Sequence, residues 1–321
     1  MYLLELGGED DAFAALEARS AASEVEVVAP GVATATGLRV DRVPSLAYTH
    51  TASRLVGRTG ASVAAARALV AAAPLDAEGP VAVRARDVRN TAGVSTRAAE
   101  REVGDALVER GYAVDLEEPA SVLRVAFAGE TCLVGWAVAE SVRDYGERRP
   151  SDRPFVQPGG MDPLDARAIV NVAGAGPDRR VLDPMCGAGG LAIEAGLVGS
   201  RVLAADAQAR MARGARENLR AALDGGFEVL RADATALPLR DGACAAVAFD
   251  APYGRQSKVV GDPGDLLAGA LSEARRVAPR AVVVADSDCA AAARAAGWTV
   301  AAVHERRVHR SLVRHVHVLD R

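Results

Sequence analysis

An acid, a small residue, a proline and an aromatic residue follow one apolar segment of this chain. Asp250, Ala251, Pro252 and Tyr253 come directly after the apolar residues 243–249. The amino nitrogen of a purine is a poor nucleophile because its lone pair is delocalised into the ring. The Asp250 carboxylate and the Ala251 carbonyl can accept its two hydrogens, and Tyr253 can stack on a base that has left its helix. These four candidate catalytic residues predict a site for methylating an amino group.

A glycine-rich turn lies upstream and also follows a short apolar segment. Residues 183–190 read Asp-Pro-Met-Cys-Gly-Ala-Gly-Gly. Glycines in such a turn let the backbone approach a nucleotide-like cofactor closely, which makes Gly187, Gly189 and Gly190 candidate cofactor-binding residues. The order of the glycines differs from the G-x-G-x-x-G pattern of dinucleotide sites. Together with the amino-binding motif, the turn predicts S-adenosylmethionine as the cofactor.

Acidic residues stand at the ends of several predicted strands. Asp183, Asp206, Asp233 and Asp250 each follow an apolar segment. Ligands of a doubly wound sheet lie outside the carboxyl ends of its strands, so these acids are expected at one edge. Asp206 has the spacing of an acid that accepts ribose hydroxyls, and Asp233 is placed to accept the adenine amine. A single strand-end Asp is readily explained as a helix N-cap, but four on one edge are not.

Composition limits the class of protein. The chain has 321 residues, a net charge of −4, one lysine and four cysteines. The cysteines lie far apart without a C-x-x-C pair, so we expect neither a zinc site nor disulfides, and we expect a reducing cytoplasm. No run of 18 apolar residues predicts a membrane span. The net charge does not indicate nucleic-acid binding by bulk charge, so any contact with nucleic acid is expected to be local.

The part of the chain after residue 160 alternates between strands and helices. This order predicts a class I, Rossmann-like α/β domain with a mainly parallel sheet and a C-terminal antiparallel hairpin. Predicted strands span residues 180–182, 201–205, 227–230, 244–249, 281–285, 298–304 and 311–319. Predicted helices span residues 189–198, 208–223, 263–277 and 289–296.

The part before residue 147 has a mixed α+β pattern without a catalytic constellation, which favours a binding module. Predicted strands span residues 2–6, 24–29, 38–43, 81–86, 121–128 and 131–137, and predicted helices span 10–18, 63–72 and 96–110. Charged residues and prolines at 147–154 indicate a linker. Arg84, Arg86, Arg89 and Arg97 form a local group of cations in this part of the chain. They are candidate RNA-binding residues, although a solvated face explains any one such group as well.

Four segments together resemble the archaeal THUMP-domain tRNA (guanine(10)-N2)-methyltransferases. They are residues 111–116 (Gly-Tyr-Ala-Val-Asp-Leu), 153–167 (Arg-Pro-Phe-Val-Gln-Pro-Gly-Gly-Met-Asp-Pro-Leu-Asp-Ala-Arg), the glycine-rich turn at 183–190, and 250–255 (Asp-Ala-Pro-Tyr-Gly-Arg). The resemblance extends over nearly the whole chain, and the segment 153–167 is its most specific part.

The resemblance implies a division of the chain and further site residues. It implies a ferredoxin-like α+β domain at 1–45, a THUMP RNA-binding domain at 46–146, a linker at 147–160 and the methyltransferase domain at 161–321. It places Phe155, Pro158 and Arg167 near the cofactor, and Arg255 among the RNA-binding residues. The implied activity is transfer of one or two methyl groups from S-adenosylmethionine to N2 of a tRNA guanosine. No metal is implied.

The motifs leave other functions open. An amino-methyltransferase could act on rRNA guanine, DNA adenine or protein glutamine, and a non-catalytic RNA-binding protein could retain the same fold. The family usually has proline where this chain has Ala251. The carbonyl needed for catalysis survives that difference, and we expect Ala251→Pro to be tolerated or stabilising because proline restricts the unfolded chain.

Removing residues 1–146 should leave a domain that binds S-adenosylmethionine but barely methylates tRNA. The remaining part of the chain carries only a slight excess of positive charge, too little to bind RNA by neutralising phosphates alone. Gel-shift and methylation assays on the shortened and complete chains measure the difference. Full tRNA affinity and an unchanged choice of nucleotide in the shortened chain would contradict an RNA-binding role for these residues.

Overall fold

The chain divides into two compact units in the computed structural model. The structure describes residues 1–252, 262–309 and 312–321, except for the side chains of residues 263, 308, 309 and 312. The first unit is Met1–Val142 and the second is Arg143–Arg321.

The first unit is an α+β structure built on one mixed sheet. Its strands are β1 (Tyr2–Leu6), β2 (Ala22–Ser23), β3 (Glu26–Ala29), β4 (Val32–Ala35), β5 (Gly37–Leu38), β6 (Thr49–Gly60), β7 (Val81–Asp87), β8 (Ser121–Ala128) and β9 (Thr131–Glu140). Its α-helices are α1 (Asp11–Ala18), α2 (Val63–Ala72) and α3 (Thr96–Glu109). The main sheet has the order β3-β4-β1-β6-β9-β8-β7, so strands from both sides of the predicted division at residue 45 share it.

The second unit is an α/β structure. Its strands are β10 (Arg180–Asp183), β11 (Arg201–Asp206), β12 (Phe227–Arg231), β13 (Ala246–Asp250), β14 (Arg280–Ala285), β15 (Thr299–His309) and β16 (Leu312–Asp320). Its α-helices are α4 (Pro163–Ala173), α5 (Gly190–Leu197), α6 (Ala209–Ala222), α7 (Pro263–Val277) and α8 (Ala290–Ala295). Short 3-10 helices at Tyr145–Arg148 and Pro150–Asp152 precede them.

The sheet of the second unit has the order β12-β11-β10-β13-β14-β16-β15. The pairs from β12 to β14 are parallel, whereas β14 with β16 and β15 with β16 are antiparallel. This confirms the predicted fold class. Since β11, β10 and β13 are adjacent and parallel, their carboxyl ends meet at one edge of the sheet.

Several elements differ from the sequence-based prediction, among them the strand β4, which was not predicted. The strand β6 was missed, although it lies in the middle of the first sheet between β1 and β9. The helix α4 was missed as well. Residues 38–43, predicted as a strand, pair only briefly at Leu38 with Ala22 and then enter a 3-10 helix at Val40–Ser45 that contains Pro44. A proline has no amide hydrogen for a strand ladder, which favours the turn conformation there.

The missed helix α4 carries ordinary helix signals at both ends. The Asp162 side chain caps its first turn by accepting a hydrogen bond from Leu164 N at 2.8 Å, and Pro163 occupies the first helical position. Gly174 ends it with a φ of 87°, a conformation that a residue with a side chain rarely adopts. Most of the helix is buried, which fixes Arg167 on its inner side.

The end of β13 corrects the expectation for position 251. The Ala251 amide donates a hydrogen bond to the Val284 carbonyl at 2.8 Å, and Ala251 is buried in the core between the sheet and α7. Proline has no amide hydrogen, so the substitution expected to stabilise the turn removes a buried ladder bond instead.

Ala251→Pro should therefore lower the free energy of unfolding by about 1 kcal/mol, the usual net value of one hydrogen bond. Where the replaced amide was hydrogen-bonded, loss of that bond outweighs the gain from restricting the unfolded chain. Denaturant titration of the wild type and the variant measures the change, with Ala251→Ser as a control that keeps the amide. A proline variant as stable as the wild type would show that this bond contributes nothing net.

Candidate active site

Three of the predicted acids meet at the carboxyl edge of the second sheet. Asp183 ends β10, Asp206 ends β11 and Asp250 ends β13. Asp183 is buried, and burial raises the pKa of its carboxyl well above the usual range, with smaller contributions from the charges of Asp206 and Asp250. A carboxyl that responds to both neighbours shows that the three acids form one electrostatic cluster.

Asp206 fixes the turn that contains the glycines. Its carboxylate accepts hydrogen bonds from Gly187 N at 3.0 Å and from Gln208 N at 2.8 Å. Burial raises the pKa of Asp206, while these two backbone bonds oppose the shift. One acid at the end of β11 thus supports both the glycine-rich turn after β10 and the entry into α6.

The glycine-rich turn leaves open space at Gly187. Gly187 has a φ of 51° and Gly189 a φ of 85°, so both adopt a conformation that disfavours other residues. A side-chain carbon at Gly187 would meet no atom of the described residues within 4 Å. The turn therefore presents bare backbone to space outside the sheet, as close approach of a nucleoside cofactor requires.

Asp233 lies two residues beyond β12, the strand next to β11. Its carboxylate accepts hydrogen bonds from the backbone N–H and the hydroxyl of Thr235, at 2.9 and 2.8 Å. These bonds lower the pKa of Asp233 and keep the acid charged. The structure thus places it on the same edge as the cluster, in a more exposed position.

Asp250, the third acid of the cluster, lies beside an arginine of β16. Its Oδ2 lies 3.5 Å from Nη2 of Arg314, a buried side chain on β16. The Asp250 side chain is 23% exposed, whereas Asp183 is almost fully covered. Pro252 follows Ala251 at the end of the described segment. Tyr253 and Arg255, predicted for catalysis and RNA binding, lie outside the residues that the structure describes.

Phe155 is fastened to the glycine-rich turn through α6. The Asn218 side chain accepts a hydrogen bond from Phe155 N and donates bonds to Phe155 O and Ala188 O, all within 2.8–2.9 Å. The Phe155 ring covers Gly214, where a side-chain carbon would lie 2.1 Å from the ring. The Arg210 guanidinium also contacts this ring and lies 5.2 Å from its centroid. Phe155 therefore reaches the predicted cofactor edge.

The other two residues of that segment have different surroundings. Pro158 is exposed. Arg167 is buried and forms an ion pair with Glu194 of α5 at 2.7 Å, with its guanidinium 5.8 Å from the Tyr145 ring centroid. This arrangement joins α4 to α5 beneath the glycine-rich turn.

The candidate RNA-binding arginines of the first unit do not form one free cluster. Arg89 pairs with Asp11 through two contacts at 2.5 and 3.2 Å, and Arg86 lies 3.8 Å from the buried Glu5. Arg84 donates to the Leu116 carbonyl at 2.7 Å. Arg97 is exposed on α3. Arg84, Arg86 and Arg89 thus also stabilise the first unit.

Sequence reasoning missed two residues of this site. Arg314 was not predicted as a site residue, although period-two alternation along β16 places it on a buried face. Asn218 has no motif of its own, and only its position on the buried face of α6 could have indicated a role.

Within residues 1–252, 262–309 and 312–321, no group of three His, Cys, Asp or Glu side chains is arranged to hold a metal ion. Among the same residues, none of the helices combines the length and apolar character needed to cross a bilayer.

Known proteins are similar to this chain over most of its length. A family model described as "RMKL-like, methyltransferase domain" matches residues 150–316. The tRNA (guanine(10)-N2)-dimethyltransferase of Methanothermobacter thermautotrophicus is 35% identical over 238 residues, which cover 71% of this chain and 70% of that protein. The protein of the same name from Pyrococcus abyssi is 31% identical over 251 residues, covering 76% and 74%.

A solved structure matches both units. The crystal structure of TrmN from Thermus thermophilus has a TM-score of 0.52 and 25% identity, and the match covers 100% of this chain and 99% of that chain. The similarity therefore extends beyond the part matched by the family model.

Asp206→Ala should weaken binding of S-adenosylhomocysteine, the demethylated form of the predicted cofactor, by roughly 1–3 kcal/mol, because buried hydroxyls would lose their acceptor. Calorimetric titration measures the loss, and Asp286→Ala, another acid just beyond a strand of the same sheet, is the control. The loss should shrink for the 2′-deoxy analogue, which has one hydroxyl fewer. Equal affinity of wild type and Asp206→Ala would remove Asp206 from the ribose role.

Proposed function

Because this chain belongs to the family of archaeal tRNA (guanine(10)-N2)-methyltransferases, we propose that it transfers methyl groups from S-adenosylmethionine to N2 of tRNA guanosine 10. Both relatives above are named dimethyltransferases, which supports two successive transfers to the same nitrogen. The observation that carries the proposal is the partly exposed Asp250 beside the buried Asp183 and the half-buried Asp206 at the edge of the parallel sheet.

The chemistry needs an acceptor for each hydrogen of the amine. The cofactor supplies a methyl group on a positively charged sulfur. The Asp250 carboxylate accepts one N2 hydrogen and the Ala251 carbonyl accepts the other, which draws the nitrogen toward tetrahedral geometry and directs its lone pair outward. Tyr253 stacks on the guanine ring in this proposal, and Pro252 shapes the turn between them.

Asp250 also takes part in the proton balance. As the new carbon–nitrogen bond forms and the carbon–sulfur bond breaks, N2 acquires a positive charge and must release one proton. The Asp250 carboxylate accepts that proton and returns it to solvent. Arg314, 3.5 Å from Oδ2, holds the carboxylate in one orientation during the transfer.

The proposed cofactor residues surround the turn described above. The bare backbone at Gly187, Gly189 and Gly190 accommodates the cofactor, Asp206 accepts from the ribose, and Asp233 accepts from the adenine amine. Asp183 supports the turn by accepting a bond from Met185 N at 3.2 Å. Phe155 lies at the same edge through Asn218, and we assign Pro158 and Arg167 to the cover of the cofactor.

The tRNA is proposed to contact the first unit. Arg97 is exposed there. Arg84, Arg86 and Arg89 already make contacts within the unit, and in this proposal they contact phosphates while keeping those contacts. Phosphate contacts of this kind position an RNA without reading its bases, and Arg255 would add one near the target nucleotide.

Asp250→Ala should abolish methyl transfer and leave S-adenosylhomocysteine affinity nearly unchanged, since Asp250 is assigned to the amine. Single-turnover transfer of a tritiated methyl group to tRNA measures the rate, and calorimetric titration is the control for cofactor binding. Mass spectrometry of nuclease fragments then identifies the nucleotide and the number of methyl groups. A variant with the wild-type rate would refute the mechanism, and modification of another nucleotide would refute the assignment to guanosine 10.

A further inference from the structure

A buried arginine beside the glycine-rich turn forms no ion pair with any carboxylate in the described part of the chain. Arg153 is 9% exposed, and its Nε makes no hydrogen bond to any residue that the structure describes. Its Nη2 donates a long hydrogen bond of 3.4 Å to the Arg148 carbonyl. Burial lowers the pKa of the Arg153 guanidinium, and the attraction of Glu194 offsets this shift only in part, while the charge of Arg148 adds to it.

The nearby acids are already used by two other arginines. Glu194 is fully buried and pairs with Arg148 at 2.9 Å and with Arg167 at 2.7 Å. Arg148 also pairs with Asp144 at 2.7 Å. Three guanidinium groups therefore share two carboxylates, and Arg153 is the surplus cation. A buried cation that shares a carboxylate with two other cations and has no ion pair of its own is unfavourable, so this arrangement favours binding of an anion.

The position of Arg153 indicates where that anion would bind. A side-chain carbon at Gly190 would lie 3.3 Å from Nη1 of Arg153 and 3.8 Å from its Nη2. Gly190 is the first residue of α5, and Gly189 before it provides no side-chain cap for the free amides of the first turn. The guanidinium and the amino end of α5 thus converge on the glycine-rich turn, and both favour negative charge.

We infer that Arg153 binds the α-carboxylate of the methionine part of the cofactor. This inference rests on the proposed function, because it assumes that the glycine-rich turn holds S-adenosylmethionine. A carboxylate is the anion that this cofactor brings to the turn, and it supplies two oxygens for the planar guanidinium. A phosphate of the RNA backbone is a poorer candidate, since Arg153 is buried and Arg149 nearby is exposed.

The inference separates the roles of two neighbouring arginines. The Arg167 guanidinium forms an ion pair with Glu194 and contacts the Tyr145 ring, and it thereby positions α4 against α5. Arg153 touches the ligand itself. Replacing Arg153 should therefore weaken the binding of a ligand that has the carboxylate more than the binding of one that lacks it. Replacing Arg167 should not make this distinction.

The test compares two ligands that differ in the amino acid part. S-adenosylhomocysteine has the α-carboxylate, and 5′-methylthioadenosine lacks it. Calorimetric titration of Arg153→Gln should show affinity for S-adenosylhomocysteine reduced about 10- to 100-fold, the range for losing a hydrogen bond to a charged group. Affinity for 5′-methylthioadenosine should stay within about twofold of the wild type, which also shows that the variant is folded. Arg153→Lys should fall between, and the exposed Arg149→Gln is the control.

Two results would overturn the assignment of Arg153 to the carboxylate. Unchanged affinity of Arg153→Gln for S-adenosylhomocysteine would overturn the inference, and so would an equal loss for both ligands in both Arg153 variants, which would indicate a purely structural role. In either case the proposed function would stand if the wild type binds S-adenosylhomocysteine. A wild type that binds neither ligand would instead refute the proposed cofactor.

Discussion

Repulsion among carboxylates is the physical problem around which the second unit is organised. The parallel register of β10, β11 and β13 brings Asp183, Asp206 and Asp250 to one edge, where burial limits screening by water. Backbone amides compensate the first two acids, and Arg314 compensates the third. Because each acid has a different partner, each also has a different accessibility, and this separates a supporting role from a reacting one.

A second group of charges holds the segment that precedes α4. Glu194 lies in the interior with Arg148 and Arg167 on its oxygens, and guanidinium groups surround the Tyr145 ring at 5.3–5.8 Å. Removing one partner from such a buried pair costs more than the pair contributes net, so the group specifies one arrangement of the chain. Residues predicted as a linker between domains are thus attached to α4 and α5, and they bring Arg153 to the glycine-rich turn.

The alternation of strands and helices in the second unit could be predicted because its apolar segments are short, strongly apolar and separated by clear turns. The strand β6 could not, since arginine, threonine and glycine interrupt its apolar residues, and only pairing with β1 and β9 defines it. The helix α4 had readable caps at Asp162 and Gly174, but its residues were interpreted as a motif. The position of Arg314 depends on strand pairing between β14 and β16, which a sequence does not state.

The Asn218 carboxamide has a consequence for how this sequence can vary. Its oxygen accepts one bond and its nitrogen donates two, so both donors and one acceptor position are used by the backbones of Phe155 and Ala188. Aspartate would lose both donors, and leucine would lose all three bonds while filling the same volume. Position 218 should therefore accept almost no other residue in a random library, whereas the exposed Arg213 and Arg220 on the same helix should vary freely. Selection on this single amide therefore acts on the segment of Phe155 and on the glycine-rich turn at Ala188 together.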